Sequence, residues 1–225
     1  MNENKVVFRL EKSMIKTAFF TLIFLILVEL IAYFGFFKNI PDFFSKYGYY
    51  LIFLVISIVI NSVAVWHIKA YKHEYSHMGG MMVGMTIGMT SGFSIGLVVG
   101  ATNGMFIGSL AGLIIGMLVG GYVGNCCGIM GIMEGMMAGL MGSIMGGMTS
   151  VMTLNDNIKL MVPILIISIL IIIIGLIYMI YKHEISGENI NYRGFKFLPF
   201  ITINFIITLA LTFLMIYGPK SFLFN

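Results

Sequence analysis

Charge is scarce in this chain. Asp, Glu, Lys and Arg make up 10% of its 225 residues, and none lies between Met78 and Met133. So few charges cannot clothe a soluble surface. Together with 59% hydrophobic residues, they place the chain among integral membrane proteins. Cysteine is nearly absent too. The two present, Cys126 and Cys127, are adjacent, which excludes a disulfide framework and leaves two thiols in a reducing cytoplasm. There is no phosphate-binding loop, dinucleotide fingerprint or c-type haem motif, and no polar stretch is long enough to hold a core of its own.

What the chain has is glycine in register. From Gly80 to Gly128 every fourth residue is glycine: 80, 84, 88, 92, 96, 100 and on to 128. The series then slips by one and resumes at Gly131, Gly135 and Gly139, with Ser143 in the next slot and Gly147 after it. Glycine inside a soluble helix costs ~1 kcal/mol against alanine. In lipid, small residues four apart let helix backbones approach closely. Gly84, Gly88, Gly92, Gly131, Gly135 and Gly139 are therefore expected to line helix contacts, as a glycine zipper. One straight helix over the unbroken series would be about 75 Å long, more than twice a bilayer core, so it must fold back. Thr102-Asn103-Gly104 and the stretch from Gly120-Gly121 to Gly124-Asn125 carry the turn chemistry.

The pattern predicts an all-α polytopic fold with spans at 17–37, 48–68, 79–101, 104–122, 126–152, 158–181 and 195–217. Four regions follow: an interfacial segment over 1–16, two spans over 17–77, a Gly/Met-rich three-helix core over 78–152, and the last two spans with the tail over 153–225. Lys5, Arg9, Lys12 and Lys16 stand at helical spacing and suit lipid phosphates, so the basic charge speaks for a membrane surface and not for nucleic acid. The first span lacks a small-residue cleavage site and is expected to stay as a membrane helix. Lys69, Lys72, Lys182, Arg193 and Lys196 would share the N-terminal side, against Lys38, Lys46, Lys159 and Lys220 on the other. This bias predicts a cell-membrane protein with a cytoplasmic N-terminus.

The fifth span has two distinct faces. With Cys126 as zero, Cys126, Met130, Glu134, Met137, Met141, Met145, Met148 and Met152 fall within roughly 100° of arc, opposite the glycines. Met78, Met82, Met85 and Met89 form a similar stripe on the third span. Methionine is a flexible gap-filling hydrophobe, and such stripes can simply face lipid. Glu134 argues otherwise for the fifth span, since a carboxyl group at a helix centre in hydrocarbon costs on the order of 2.5–3.5 kcal/mol. Glu134 and its stripe are expected to face a bundle interior, a subunit contact or a water-filled path. Glu29, in the first span, is the second intramembrane acid, and Asn61 and Asn204 are the expected polar partners of the two.

Thiolate and thioether groups select Cu(I), and imidazole suits copper or zinc. Candidate metal ligands are Cys126, Cys127, Met130, Met133, Met137, Met141, His73 and His77. The Met-x-x-x-Met pairs Met81/Met85/Met89 and Met133/Met137/Met141/Met145, set beside Gly-x-x-x-Gly helices, are similar to the core of the high-affinity copper uptake channels. In that family stacked methionines form a selectivity ring and a glycine motif closes the packing. The resemblance is confined to these short motifs. His73-Glu74-Tyr75-Ser76-His77 also matches H-E-x-x-H, the zinc metallopeptidase pattern with Glu74 as general base. However, Tyr71-Lys72-His73-Glu74 is echoed by Tyr181-Lys182-His183-Glu184 without the second histidine, which reads as a boundary signature of tyrosine and lysine at headgroups.

The sequence thus predicts a membrane transport or metal-handling protein, a homo-oligomer with a Met/Cys/Glu-lined path for a soft cation such as Cu(I). A glycine-zipper scaffold without an ion and a zinc metallopeptidase are the alternatives. No catalytic residues are assigned.

Overall fold

A computed structural model describes residues 3–32, 47–70, 77–154, 156–183 and 197–220. Among them all regular structure is helical: α1 (Glu3–Ala32), α2 (Tyr49–Ala70), α3 (His77–Asn103), α4 (Met105–Gly124), α5 (Gly128–Met152), α6 (Ile158–His183) and α7 (Phe197–Tyr217). Among the described residues, five stretches are long and apolar enough to cross a membrane: Tyr49–Lys69, Met78–Asn103, Met105–Met152, Ile158–Ile180 and Pro199–Tyr217. The chain has the character of a multi-pass membrane protein.

The expected count of seven spans is corrected to these five candidates, for two reasons. After Lys16, the apolar part of α1 reaches only Ala32 before the described residues end. And α4 and α5 are joined through a 3₁₀ turn at Asn125–Cys127, so that Met105–Met152 forms one helical run of 48 residues.

That run is not straight. Two glycines with positive φ mark the reversals, Gly104 (φ 98°) between α3 and α4 and Gly128 (φ 75°) at the start of α5. Both combine it with ψ near 180° (172° and −161°), a backbone region essentially confined to glycine because it has no Cβ. The first reversal falls where the sequence placed it. The second begins at Asn125, the last residue of the stretch expected to turn, and runs through the two cysteines to Gly128.

The three helices then pack backbone to backbone, α4 antiparallel to α3 and α5 parallel to it. Each four-residue step down α3 is met by one step back up α4 and one step down α5. The resulting layers are Gly84/Gly124/Gly131, Gly88/Gly120/Gly135, Gly92/Gly116/Gly139, Gly96/Gly112/Ser143 and Gly100/Gly108/Gly147. A Cβ on Gly92 would lie 2.6 Å from the Gly139 carbonyl oxygen, and one on Gly116 would lie 2.8 Å from the Gly92 Cα. Ser143, fully buried, fills the slot where the glycine series lapses and donates to the Leu140 carbonyl at 2.7 Å. Lipid tails are as apolar as any side chain, so dispersion at such short range supplies the attraction between the helices.

Around this core α2, α6 and α7 lean on α3. Leu54, Ile58, Val98, Val162 and Leu211 form one buried cluster, and Ile68, Val83, Ile87, Ile173 and Ile180 another. Side-chain hydrogen bonds fix the register. Asn61 of α2 donates to Ser94 Oγ at 3.1 Å and accepts from Thr90 Oγ1 at 3.2 Å, both on α3. Ser62 donates to Asn204 Oδ1 at 2.6 Å, tying α2 to α7, and Asn103 donates to the Leu214 carbonyl at 3.1 Å. The Tyr49 hydroxyl donates to the Lys159 carbonyl, joining the starts of α2 and α6. In hydrocarbon such bonds contribute ~0.6 kcal/mol each on average, and they also leave fewer registers open.

Candidate functional site: the methionine face and the cysteine turn

The glycine core determines where the sulfur goes. With Gly131, Gly135, Gly139, Gly142 and Gly146 pressed against α3 and α4, the opposite side of α5 turns away from the chain. Met133 is 61% exposed and Met137 58%, and Met130, Met141, Met145 and Met152 are exposed alike. The α3 stripe of Met78, Met82, Met85 and Met89 is also exposed. Gly142 sits against the backbone of Met89, which fixes the contact between the two methionine-bearing helices.

This corrects one expectation. Within one copy of the chain the α5 stripe does not face the bundle interior. The space between α3, α4 and α5 is filled by backbone, and a lone copy offers no methionine-lined path there. Glu134 shares the face of Met130, Met137 and Met141 by helical position and is half-buried there. Its expected partners are engaged elsewhere, Asn61 with Ser94 and Thr90, Asn204 with Ser62. Glu29 does find a partner across helices, accepting from Thr212 Oγ1 of α7 at 3.4 Å.

At one end of the α5 face lies the cysteine turn. Cys126 is exposed and Cys127 buried, with their sulfurs 3.5 Å apart in a thiol–thiol hydrogen bond. Cys127 packs on Gly80 at the start of α3, where a Cβ would overlap its sulfur. Lys69, at the end of α2, sets its ammonium 3.1 Å from the centroid of the Tyr122 ring on the last turn of α4.

Of the sequence-predicted ligands, the structure brings the two cysteines into contact and places Met130, Met133, Met137 and Met141 along one outward face. His73 and Glu74 lie outside the described residues, as does the side chain of His77, which opens α3. Among the described residues, no group of three or more His, Cys, Asp or Glu could hold a metal ion. The role of Gly80 under the cysteines was missed; its place at the head of the glycine series was the available signal. The Asn61–Thr90–Ser94 seam was missed as well, although small polar residues in an apolar span were visible.

No protein-family model matches this chain, and neither does any curated protein or solved structure.

Proposed function

We propose that the chain is a membrane metal-handling or transport protein that works as an assembly of identical copies, with the α5 methionine face at the contact between them. In this reading α4 and α5 each cross the bilayer, as a hairpin, and the small-residue layers act as a glycine zipper that holds α3, α4 and α5 rigid. A second copy covers the stripe, so that Met130, Met133, Met137 and Met141 from each side offer thioether sulfur to a soft cation such as Cu(I). Glu134 balances its charge. Methionine suits transfer along a path because thioether ligation is neutral and needs no deprotonation, unlike thiolate.

One observation carries this reading: Glu134 stands half-buried on a face that a single copy leaves open. An acid turned to acyl chains costs on the order of 2.5–3.5 kcal/mol, and a second copy removes most of that cost. The test is copper content and liposome flux of the purified protein, with Met137→Leu/Met141→Leu as the variant. Copper and flux that fall in the variant support the reading. Copper and flux unchanged by the variant contradict it.

The solid core favours a second reading, a scaffold that oligomerises without an ion. Stable oligomers with no metal and no flux would establish it.

A further inference from the structure

We propose that Cys126 and Cys127 form a two-sulfur binding site for a monovalent soft cation, Cu(I), and that Gly80 of α3 is its positioning residue. The proposal rests on the soft-cation reading above and adds a discrete thiolate site at the end of the methionine face.

Neighbouring side chains on a helix diverge by about 100°, so adjacent cysteines do not ordinarily present their sulfurs together. Here the helix is broken between them and α5. Asn125–Cys127 is a 3₁₀ turn, Cys127 leaves it at φ −119° and ψ 25°, and Gly128 continues at positive φ. The sulfurs converge to 3.5 Å. The thiol hydrogen bond turns both sulfurs toward one space, which would widen around a soft cation bound to both.

The reaction balances without a redox partner. Cu(I) and two thiols give a bis-thiolate complex of charge −1 and release two protons. The Lys69 ammonium sits over the ring of Tyr122, four residues before Cys126 in sequence.

The two cysteines differ in exposure, as a capture site requires. Cys126 is exposed to an arriving ion, whereas Cys127 is buried and held. Gly80 does the holding. A Cβ there would overlap the Cys127 sulfur and stand 3.0 Å from the Cys126 sulfur, so both rest on the same bare backbone. Simple packing of a small residue explains the burial of Cys127. It does not explain a second, exposed sulfur in contact with the first.

The experiment titrates the full chain in detergent with Cu(I), anaerobically and against a competing chelator, and counts sulfur ligands by X-ray absorption. In a Met137→Leu/Met141→Leu background, which removes methionine-face copper, the chain is expected to bind one Cu(I) through two short copper–sulfur bonds. An aryl arsenoxide, which condenses with two neighbouring thiols and releases water, is expected to block it. Gly80→Ala removes no ligand yet should weaken binding about 10–100-fold, the usual effect of losing a group that orients a ligand. Cys126→Ser and Cys127→Ser, which keep the packing, should each weaken it at least as much. Gly175→Ala, where a Cβ meets nothing within 4 Å, should bind as the wild type does.

Wild-type affinity in both serine variants overturns the site, whatever Gly80→Ala does to folding. Loss in the serine variants with none in a well-folded Gly80→Ala overturns the role of Gly80. Copper that survives Cys→Ser but falls in Met137→Leu/Met141→Leu leaves the methionine-face reading standing alone. The reverse pattern leaves only the dithiol site, and a wild type that binds no Cu(I) overturns both.

Discussion

Gly88 and Gly120 face each other reciprocally. A Cβ on Gly88 would stand 3.1 Å from the Gly120 Cα, and one on Gly120 would stand 3.0 Å from the Gly88 Cα. Neither helix can yield to a methyl group without moving its backbone, and α5 closes the same layer with Gly135.

Alanine at Gly88 or Gly92 should therefore destabilise the fold by about 1–3 kcal/mol, the range for overpacked interiors, despite alanine's better helix propensity. Gly175 of α6 is the control, since a Cβ there meets nothing within 4 Å. Gly175→Ala should be neutral or stabilising by ~0.4–1 kcal/mol. Thermal unfolding in detergent separates the two. Equal effects at Gly92 and Gly175 would contradict the layered packing.

The reversal at Gly128 gives a purely conformational test. Its φ is 75°, and an added Cβ has open space around it. Gly128→Ala should cost about 1–3 kcal/mol from backbone strain alone. Gly128→Asn should cost about as much, because φ 75° with ψ −161° lies outside the left-handed helical region that asparagine tolerates. The same unfolding measurement reads both, and a larger loss for asparagine would mean that space, not φ, governs the position.

Asn61 should couple to Ser94 across α2 and α3. A double-mutant cycle with Asn61→Ala and Ser94→Ala is expected to give a coupling of about 0.6 kcal/mol, and no more than about 1.7. No coupling would mean that the 3.1 Å contact does not form in the bilayer.

Glycine spacing revealed the helical class, the fold-back and the residues of the contact layers, because a four-residue repeat admits few uses in lipid. The end of α3 at Asn103 was legible from Asn103-Gly104. The second turn was harder. Gly120-Gly121 looks like a break, but Gly120 is needed inside a layer, and the chain turns only from Asn125 to Gly128. The direction of the methionine face was not legible for a related reason. Glu134 raised the expectation of a covered stripe, but whether this chain covers it depends on how completely α3, α4 and α5 fill their own centre. The Asn61 seam escaped because a polar pair requires knowing which residues of α2 and α3 stand side by side.

The account turns on whether something other than lipid covers the methionine face, and Met137 and Ile171 provide the comparison. In one copy they are 58% and 63% exposed, nearly the same. A nitroxide label at each, in a Cys126→Ser/Cys127→Ser background in liposomes, reports collision with oxygen dissolved in the bilayer. The account predicts a markedly lower collision rate at Met137 than at Ile171. Equal rates would place Glu134 and its sulfur neighbours against lipid and contradict the proposed assembly.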